Sequence, residues 1–393
     1  MAGDSFADIA VPLLVLRATG SVAQMGLLTG AAGVAAVAAG LAAGVVADRL
    51  DRRALLIGCD LARMVLYGLV PVAWALRPEV WLLYAVLPAG AAIGMVFQVT
   101  YVTAVRNLVD GDRITEANGR LFASASAVSV AGPLLAGLIS GTLGPTAAIG
   151  IDAASFGVSA AGAWLIRLRG PARPTGSRAA AEPRSRPLTE FLAGARFLWR
   201  HPVLRSLTML LSGYIFLTYG LTNVLIYYLR HDLHQSYAAV GVVLSIGAAG
   251  TVGGALLAAP IRRKAGFGAA WIVPVALGGA AVAGLGASRS LPVIAALAAV
   301  YLAGESVGGI CSMSLRQEVT PDHLLGRVTS AFWVTHFSLG PVGAVLLAWG
   351  AGRYGVAPVC VAAGAGCVLI AASALFTPVR QRGRGPEPAA GAA

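Results

Sequence analysis

One stretch decides the fold of this chain: Gly44-Val45-Val46-Ala47-Asp48-Arg49-Leu50-Asp51-Arg52-Arg53. It follows a run over 21–47 without a charged residue, which exceeds the roughly 20 residues that a helix needs to cross a bilayer. Five charges then fall within six residues, and apolar sequence resumes at Ala54. The pattern predicts a very short polar hairpin between two membrane helices.

The composition is that of a membrane protein. Hydrophobic residues make up 57% of the 393 residues, charged residues make up 12%, and the mean hydropathy is +0.77. A typical soluble domain has about 25% charged residues, whereas runs long enough to span a bilayer recur along this chain. The net charge of +12 does not indicate nucleic-acid binding, because the arginines lie in short segments between the predicted spans.

The sequence carries no arrangement of catalytic residues. It has no phosphate-cradling Gly-Lys loop, which argues against ATP as the energy source, and no Ser/His/Asp constellation. The four cysteines lie within apolar runs without metal-ligand spacing, so they are expected to be packing residues. We therefore expect a protein that is not an enzyme and that uses no cofactor and no metal.

The hairpin also resembles a family motif. Its pattern G-x-x-x-D-R-x-x-R-R resembles the loop between helices 2 and 3 of the major facilitator superfamily, with Asp51 where that family often has Gly. The resemblance implies that the loop is a cytoplasmic gate between two halves of a transporter. Its residues are Gly44, Asp48, Arg49, Arg52 and Arg53. From the residues alone, the alternative is topogenic charge that only orients the helices.

The resemblance implies an all-α membrane fold with twelve helices in two pseudo-symmetric six-helix bundles. Eleven predicted spans lie at about 22–47, 54–76, 80–105, 120–143, 146–167, 204–229, 238–261, 267–287, 291–315, 328–350 and 356–376. The first span ends before Arg17 and is too short to cross the membrane from Met1. We therefore expect the functional protein to begin upstream, or the first helix to be trimmed.

The chain divides into four predicted parts: an N-terminal bundle over 1–168, a cytoplasmic linker with an amphipathic helix over 169–202, a C-terminal bundle over 203–378 and a disordered tail over 379–393. The segment 194–202 resembles the central loop of the bacterial branch that contains siderophore exporters and macrolide-efflux-like proteins.

The two halves are predicted to be a parallel repeat, and their charges predict the orientation. A shift of 210 residues takes Gly44 to Gly254 and Arg52-Arg53 to Arg262-Arg263. Of the 29 lysines and arginines, 23 fall in one set of alternate loops and the tail, against five in the other set. This asymmetry predicts a bacterial cytoplasmic membrane protein whose central loop and C-terminus are cytoplasmic.

Carboxylates inside predicted spans are costly and tend to be functional. Four candidates occur: Asp4, Asp8, Asp152 and Glu305. The resemblance places spans 1, 4, 7 and 10 around the transport cavity, so all but Asp152 are expected to face it. Asp152 is equally well explained by helix packing.

Polar residues in spans 4 and 7 are the other cavity candidates. Gln98 and Tyr101 lie in span 4, and Tyr219 and Asn223 share a face of span 7 because they are four residues apart. Such a face can hydrogen-bond and stack on an amphiphilic ligand. The alternative is an aromatic belt at the membrane interface.

A Gly-Pro pattern in span 5 links the chain to exporters. Gly132-Pro133 and Gly137 resemble the G-P-x-x-x-G core of the antiporter motif of drug exporters. The chain departs from that group by having no Arg over 88–105 in span 4. Asp8 and Glu305 are therefore the predicted proton carriers, since a carboxyl group changes its proton affinity between dry and wet surroundings.

The predicted function is secondary active export of an amphiphilic small molecule, such as a drug, an antibiotic or a siderophore, by proton antiport with alternating access. The expected partners are that substrate, protons as the coupling ion and the lipid bilayer, and the chain is expected to act as a monomer without nucleic acid. Two alternatives stay open: uptake of a polar metabolite by proton symport, and a membrane sensor or assembly protein that transports nothing.

Overall fold

The computed structural model describes residues 4–105, 114–165 and 187–381, and every regular element in these ranges is helical. The predicted linker up to residue 186 and the tail beyond residue 381 lie outside the described residues. The helices are α1 Asp4–Thr19, α2 Val22–Arg49, α3 Arg52–Leu76, α4 Trp81–Val105, α5 Ile114–Thr142, α6 Pro145–Leu165, α7 Pro187–Arg200, α8 Pro202–Thr218, α9 Leu221–Tyr227, α10 Tyr237–Leu285, α11 Leu291–Val319, α12 Asp322–Ser338, α13 Gly340–Tyr354 and α14 Val356–Ala374.

The described residues contain 10 helical segments that are long and apolar enough to span a membrane. One of them, α10, comprises two predicted spans, because Gly266 interrupts the helix with φ 76° and ψ 170°, a conformation that glycine adopts readily. Helix α1 has only 16 residues, which is short of a full span. Nine single segments, the two spans of α10 and the short α1 correspond to the twelve predicted helices. The prediction of an all-α membrane fold is therefore confirmed.

The chain folds as two compact units. Unit 1 comprises Met1–Glu182, Gly220–Ser245 and Ala344–Arg353. In it, α1 packs on α5 and α6, and α3 packs on α4 and α6. Segments from the second half of the sequence join this unit: a Cβ at Gly26 of α2 would lie 2.2 Å from the Cβ of Ala348 in α13. Such backbone contact is typical of small residues between membrane helices.

Unit 2 comprises Pro183–Tyr219, Ile246–Gly343 and Tyr354–Ala393. Its α10 and α11 approach as closely as backbones can, because a Cβ at Gly254 would lie 2.4 Å from the carbonyl oxygen of Ala303. The amphipathic helix α7 belongs to this unit and buries Leu198. Its Gly194 lies against the backbone of Arg327 and Val328 in α12, so the predicted amphipathic segment forms a helix that packs on protein.

Candidate functional site

The predicted gate hairpin is a two-residue connection from α2 to α3. Asp51 is the N-cap of α3 and accepts a hydrogen bond of 2.8 Å from the backbone N–H of Ala54. An aspartate in this position satisfies an otherwise unpaired N–H group at the helix start. Asp51 therefore takes a helix-capping role at the position where the family often has glycine. Gly44 lies within α2, and the side chains of Asp48 and Arg49 lie outside the described residues.

Arg53 links the hairpin to the end of α6. Its Nε donates to the carbonyl oxygen of Ala163 over 3.3 Å, and its Nη2 donates to the carbonyl oxygen of Trp164. The last carbonyls of a helix have no partner within the helix, and an arginine is a suitable donor for them. Arg53 is thus a clamp between two helix ends in unit 1, and Arg52 beside it is half-buried.

The repeat-related hairpin in unit 2 has a different polar contact. Arg262, the counterpart of Arg52, donates from Nη2 to both carboxylate oxygens of Glu318 in α11, at 2.8 and 2.7 Å. The sequence contained no signal for this pair, because the partners are 56 residues apart. Charged side chains therefore hold helices together at this hairpin too.

The predicted carboxylates differ in their surroundings. Asp152 in α6 is fully buried in unit 1, whereas Asp8 in α1 has an exposed side chain. Both side chains have interaction partners, and the side chain of Asp4 lies outside the described residues. The burial of Asp152 is compatible with the packing alternative.

Glu305 lies in α11 of unit 2 among hydroxyl groups. Its half-buried carboxyl group lies close to Tyr301, one turn earlier in the helix. Thr218 in α8 lies close to Tyr301, and Tyr214 lies close to both Tyr301 and Glu305. Tyr214, Thr218 and Tyr301 are all buried. A carboxyl group inside a membrane span thus has hydroxyl groups near it, and a hydroxyl group can donate or accept a hydrogen bond.

The predicted polar face of span 7 is interrupted. Helix α8 ends at Thr218 and α9 begins at Leu221. Tyr219 belongs to unit 2, where its ring packs edge-on against Phe337 with a centroid distance of 6.4 Å. Asn223 belongs to unit 1, where it is 5% exposed and its Nδ2 donates to Oγ1 of Thr29 in α2 over 2.7 Å.

The two candidates in α4 differ in their exposure and contacts. Gln98 has an exposed side chain. Tyr101 is half-buried and stacks on Phe97, one turn earlier, with ring centroids 6.1 Å apart. The structure therefore gives Tyr101 a packing partner within its own helix, and it leaves Gln98 accessible to a ligand, to water or to lipid.

The antiporter-like motif is a close helix–helix contact. A Cβ at Gly137 of α5 would lie 2.7 Å from the carbonyl oxygen of Tyr237, and a Cβ at Gly241 of α10 would lie 2.6 Å from the carbonyl oxygen of Pro133. Ser245 adds a hydrogen bond of 2.7 Å to the carbonyl oxygen of Val130. Side chains larger than hydrogen are excluded from this contact, so the glycines of the motif determine how closely α5 and α10 pack.

Several contacts of unit 1 join the first half of the sequence to the second. They include the Asn223–Thr29 hydrogen bond between α9 and α2 and the glycine contact between α5 and α10. Such contacts can form in one conformation and break in another, because hydrogen bonds and backbone packing both depend on close approach.

The comparisons with known proteins agree with this architecture. A sequence profile described as Major Facilitator Superfamily matches residues 1–345. The chain is 28% identical over 361 residues to multidrug efflux pump Tap of Mycobacterium tuberculosis, covering 88% of this chain and 83% of that protein. It is 24% identical over 349 residues to enterobactin exporter EntS of Shigella dysenteriae, covering 86% and 79%.

Two solved structures have the same fold. A bacterial homologue of the human lysosomal transporter Spinster, in an inward-facing and occupied conformation, matches with a TM-score of 0.74 and 15% identity over 98% of this chain and 96% of the other. The nucleoside transporter NupG matches with a TM-score of 0.72 and 13% identity over 95% of each chain.

Proposed function

Because this chain belongs to the Major Facilitator Superfamily, and is therefore a multi-pass membrane transporter rather than an enzyme, we propose that it exports an amphiphilic small molecule across a bacterial cytoplasmic membrane in exchange for protons. The names of the relatives Tap and EntS support the direction of transport. The excess of arginine in one set of loops supports a cytoplasmic central loop and C-terminus.

The observation that carries the coupling proposal is the position of Glu305. Its carboxyl group lies within the membrane-spanning helix α11, close to Tyr301 and Tyr214. Such a group can bind a proton from one side of the membrane and release it to the other when its contact with water changes. Asp8 in α1 is the second proposed proton carrier, and Asp4 is a further candidate in the same helix.

The proposed gates lie at the ends of the helices. At one end, the Gly44–Arg53 hairpin acts as the cytoplasmic gate, with Asp48 and Arg49 contributing charge and Arg53 clamping α3 to α6. In unit 1, the Asn223–Thr29 hydrogen bond and the Gly137–Gly241 contact form a second gate, on the outer side. Alternating access requires that only one gate is open at a time.

The residues proposed to contact the substrate are Gln98, Tyr101 and Asp152 in unit 1; in unit 2, the proposed residue is Tyr219. Tyr219 presents an aromatic ring and a hydroxyl group, and Gln98 presents an accessible amide. These groups suit a ligand with both apolar and polar parts.

The test is export from a strain that lacks its own pumps. Cells expressing the chain are expected to accumulate less of at least one amphiphilic antibiotic or siderophore, and to lose this effect when the proton gradient is dissipated. Glu305→Gln is expected to abolish the effect, whereas Glu79→Gln, which changes an exposed acid before α4, is expected to leave it intact. Increased accumulation in cells expressing the wild-type protein would indicate uptake and would contradict the proposal.

A further inference from the structure

Arg316 is a buried cation that the proposed transport cycle does not use. It lies near the end of α11 in unit 2, with 3% of its surface exposed. Its guanidinium carbon lies 3.8 Å from the ring centroid of Phe332 and 5.6 Å from that of Trp333, both in α12. The guanidinium group is therefore held against an aromatic surface, within a membrane-spanning helix.

Arg316 pairs with no carboxylate among the described side chains. Its Nη2 contacts the sulfur of Met313 at 3.5 Å, and its Nη1 is buried without a hydrogen-bond partner. The nearby Glu318 is bonded to Arg262 instead, and its side chain is 57% exposed. A buried charge without an opposite charge is strongly unfavourable, so a bound anion would stabilise Arg316.

Other hydrogen-bonding groups lie along the same side of α11. Ser312 and Thr320 are each one turn from Arg316, and both hydroxyl oxygens are buried without a partner. Gly308 lies one turn before Ser312, and a Cβ there would lie 3.7 Å from Nε1 of Trp271. This indole nitrogen is also buried without a hydrogen-bond partner. Native proteins leave few such groups unsatisfied, and all three can donate a hydrogen bond to an anion.

Unit 1 provides a contrast. Arg63 in α3 is also buried, and its guanidinium carbon also lies over an aromatic ring, that of Phe156 at 4.1 Å. That arginine, however, has the buried carboxyl group of Asp60 three residues earlier in the same helix. Arg316 in α11 has no acid three or four residues away in its own helix, and the nearby Glu318 bonds to Arg262.

We propose that Arg316, with Ser312 one turn earlier in α11, binds the carboxylate of an amphiphilic substrate, whose flat apolar part packs on Phe332 and Trp333. The inference rests on the proposed export function and specifies the charge of the exported molecule, which is an organic anion. Guanidinium groups bind carboxylates through charge-assisted hydrogen bonds, and the aromatic side chains provide the apolar surface.

The test uses three probes with the same ring system and different charges: 2-naphthoate, 2-naphthalenemethanol and 2-naphthylmethylammonium. Their binding to the full chain in phosphatidylcholine nanodiscs is measured by calorimetry without a proton gradient. The wild-type protein is expected to bind naphthoate about ten- to 100-fold more tightly than the other two, as charge-assisted hydrogen bonds predict. Arg316→Met is expected to lose this preference, and Arg316→Lys to keep part of it.

Arg289→Met is the matched control, because Arg289 is an exposed arginine of the same unit. It is expected to keep the full preference for naphthoate. Equal affinity for the three probes, or an unchanged preference in Arg316→Met, would overturn the proposal. If these binding tests fail while the cells still export, only the anion site is refuted. If the probes bind as expected but the cells do not export, only the proposed export function is refuted.

A stability measurement separates a ligand site from a structural arginine. If Arg316 has no counter-charge in the free protein, Arg316→Met should unfold at the same temperature as the wild type or higher, and naphthoate should stabilise only the wild type. A large loss of thermal stability in Arg316→Met would show that a carboxylate of the protein already neutralises Arg316, and the proposal would fall.

Discussion

The contact between α5 and α10 in unit 1 can be disrupted by a single methyl group at Gly241. In Gly241→Ala, the new Cβ would lie 2.6 Å from the carbonyl oxygen of Pro133 and 3.0 Å from Cα of Gly137. Both neighbours are backbone atoms and cannot move aside as a flexible side chain would. Overpacking of this kind costs about 1–3 kcal/mol.

If the contact is present in only one conformation of the transport cycle, this cost falls on that conformation alone. The equilibrium should then shift away from the packed arrangement by roughly 5- to 150-fold. We therefore expect Gly241→Ala to slow transport while the protein remains folded, because the methyl group is harmless once the two helices separate.

The assay is a distance measurement by double electron–electron resonance. Spin labels are attached to cysteines introduced at the exposed residues Thr142, at the end of α5, and Ser236, before α10. The four native cysteines are buried, and they are replaced by serine or alanine in the same background so that only the introduced cysteines take up the label. Gly241→Ala should increase a population with a longer distance.

Gly253→Ala is the control, because Gly253 is a glycine of the same helix and a Cβ there would meet no atom within 4 Å. It should leave the distance distribution and transport unchanged. An identical distance distribution in Gly241→Ala and Gly253→Ala, with normal transport in both, would refute the idea that the glycine contact opens during the cycle.

Three further predictions concern other positions. Glu305→Gln should abolish proton-driven export but keep substrate binding, since the amide retains size and polarity; uphill export by this variant would remove Glu305 from the coupling scheme. Asn223→Ala and Thr29→Val should each lower the stability of the α2–α9 contact by about 1 kcal/mol. In a double-mutant cycle, the double variant should lose no more stability than either single variant. Fully additive losses would contradict the hydrogen bond of 2.7 Å between the two side chains. Asp51→Ala should lower the free energy of unfolding by about 1 kcal/mol and Asp51→Gly by only a few tenths; equal losses would contradict the N-cap role.

Much of the fold follows from hydrophobic runs and turn signals. The span predicted at 54–76 is α3, Arg52–Leu76, and the span predicted at 146–167 is α6, Pro145–Leu165. The length of an apolar run is fixed by the bilayer, so these bounds are encoded locally. The prediction of a major facilitator fold is confirmed by the family match and by the solved structures.

The details of the candidate site depend on contacts between distant segments. The break after Thr218 lies inside the span predicted at 204–229, and the π-helix Tyr228–Asp232 begins at the end of that span; the hydrophobic pattern indicates neither. Arg316 lies at the end of such a run and was counted with the loop charges, although it is buried. Burial of a charge at a helix end is decided by the neighbouring helices, and the sequence of one helix does not contain that information.

The most direct test of proton-coupled export is uphill transport into inverted membrane vesicles. Respiration acidifies the interior of such vesicles, so an exporter that exchanges its substrate for protons should concentrate the substrate inside and make the interior less acidic than it is in vesicles without the transporter. The account predicts accumulation that is lost with Glu305→Gln, kept with Glu79→Gln and abolished when the gradient is dissipated. Accumulation that is insensitive to the gradient, or loss of substrate from preloaded vesicles on energisation, would contradict it.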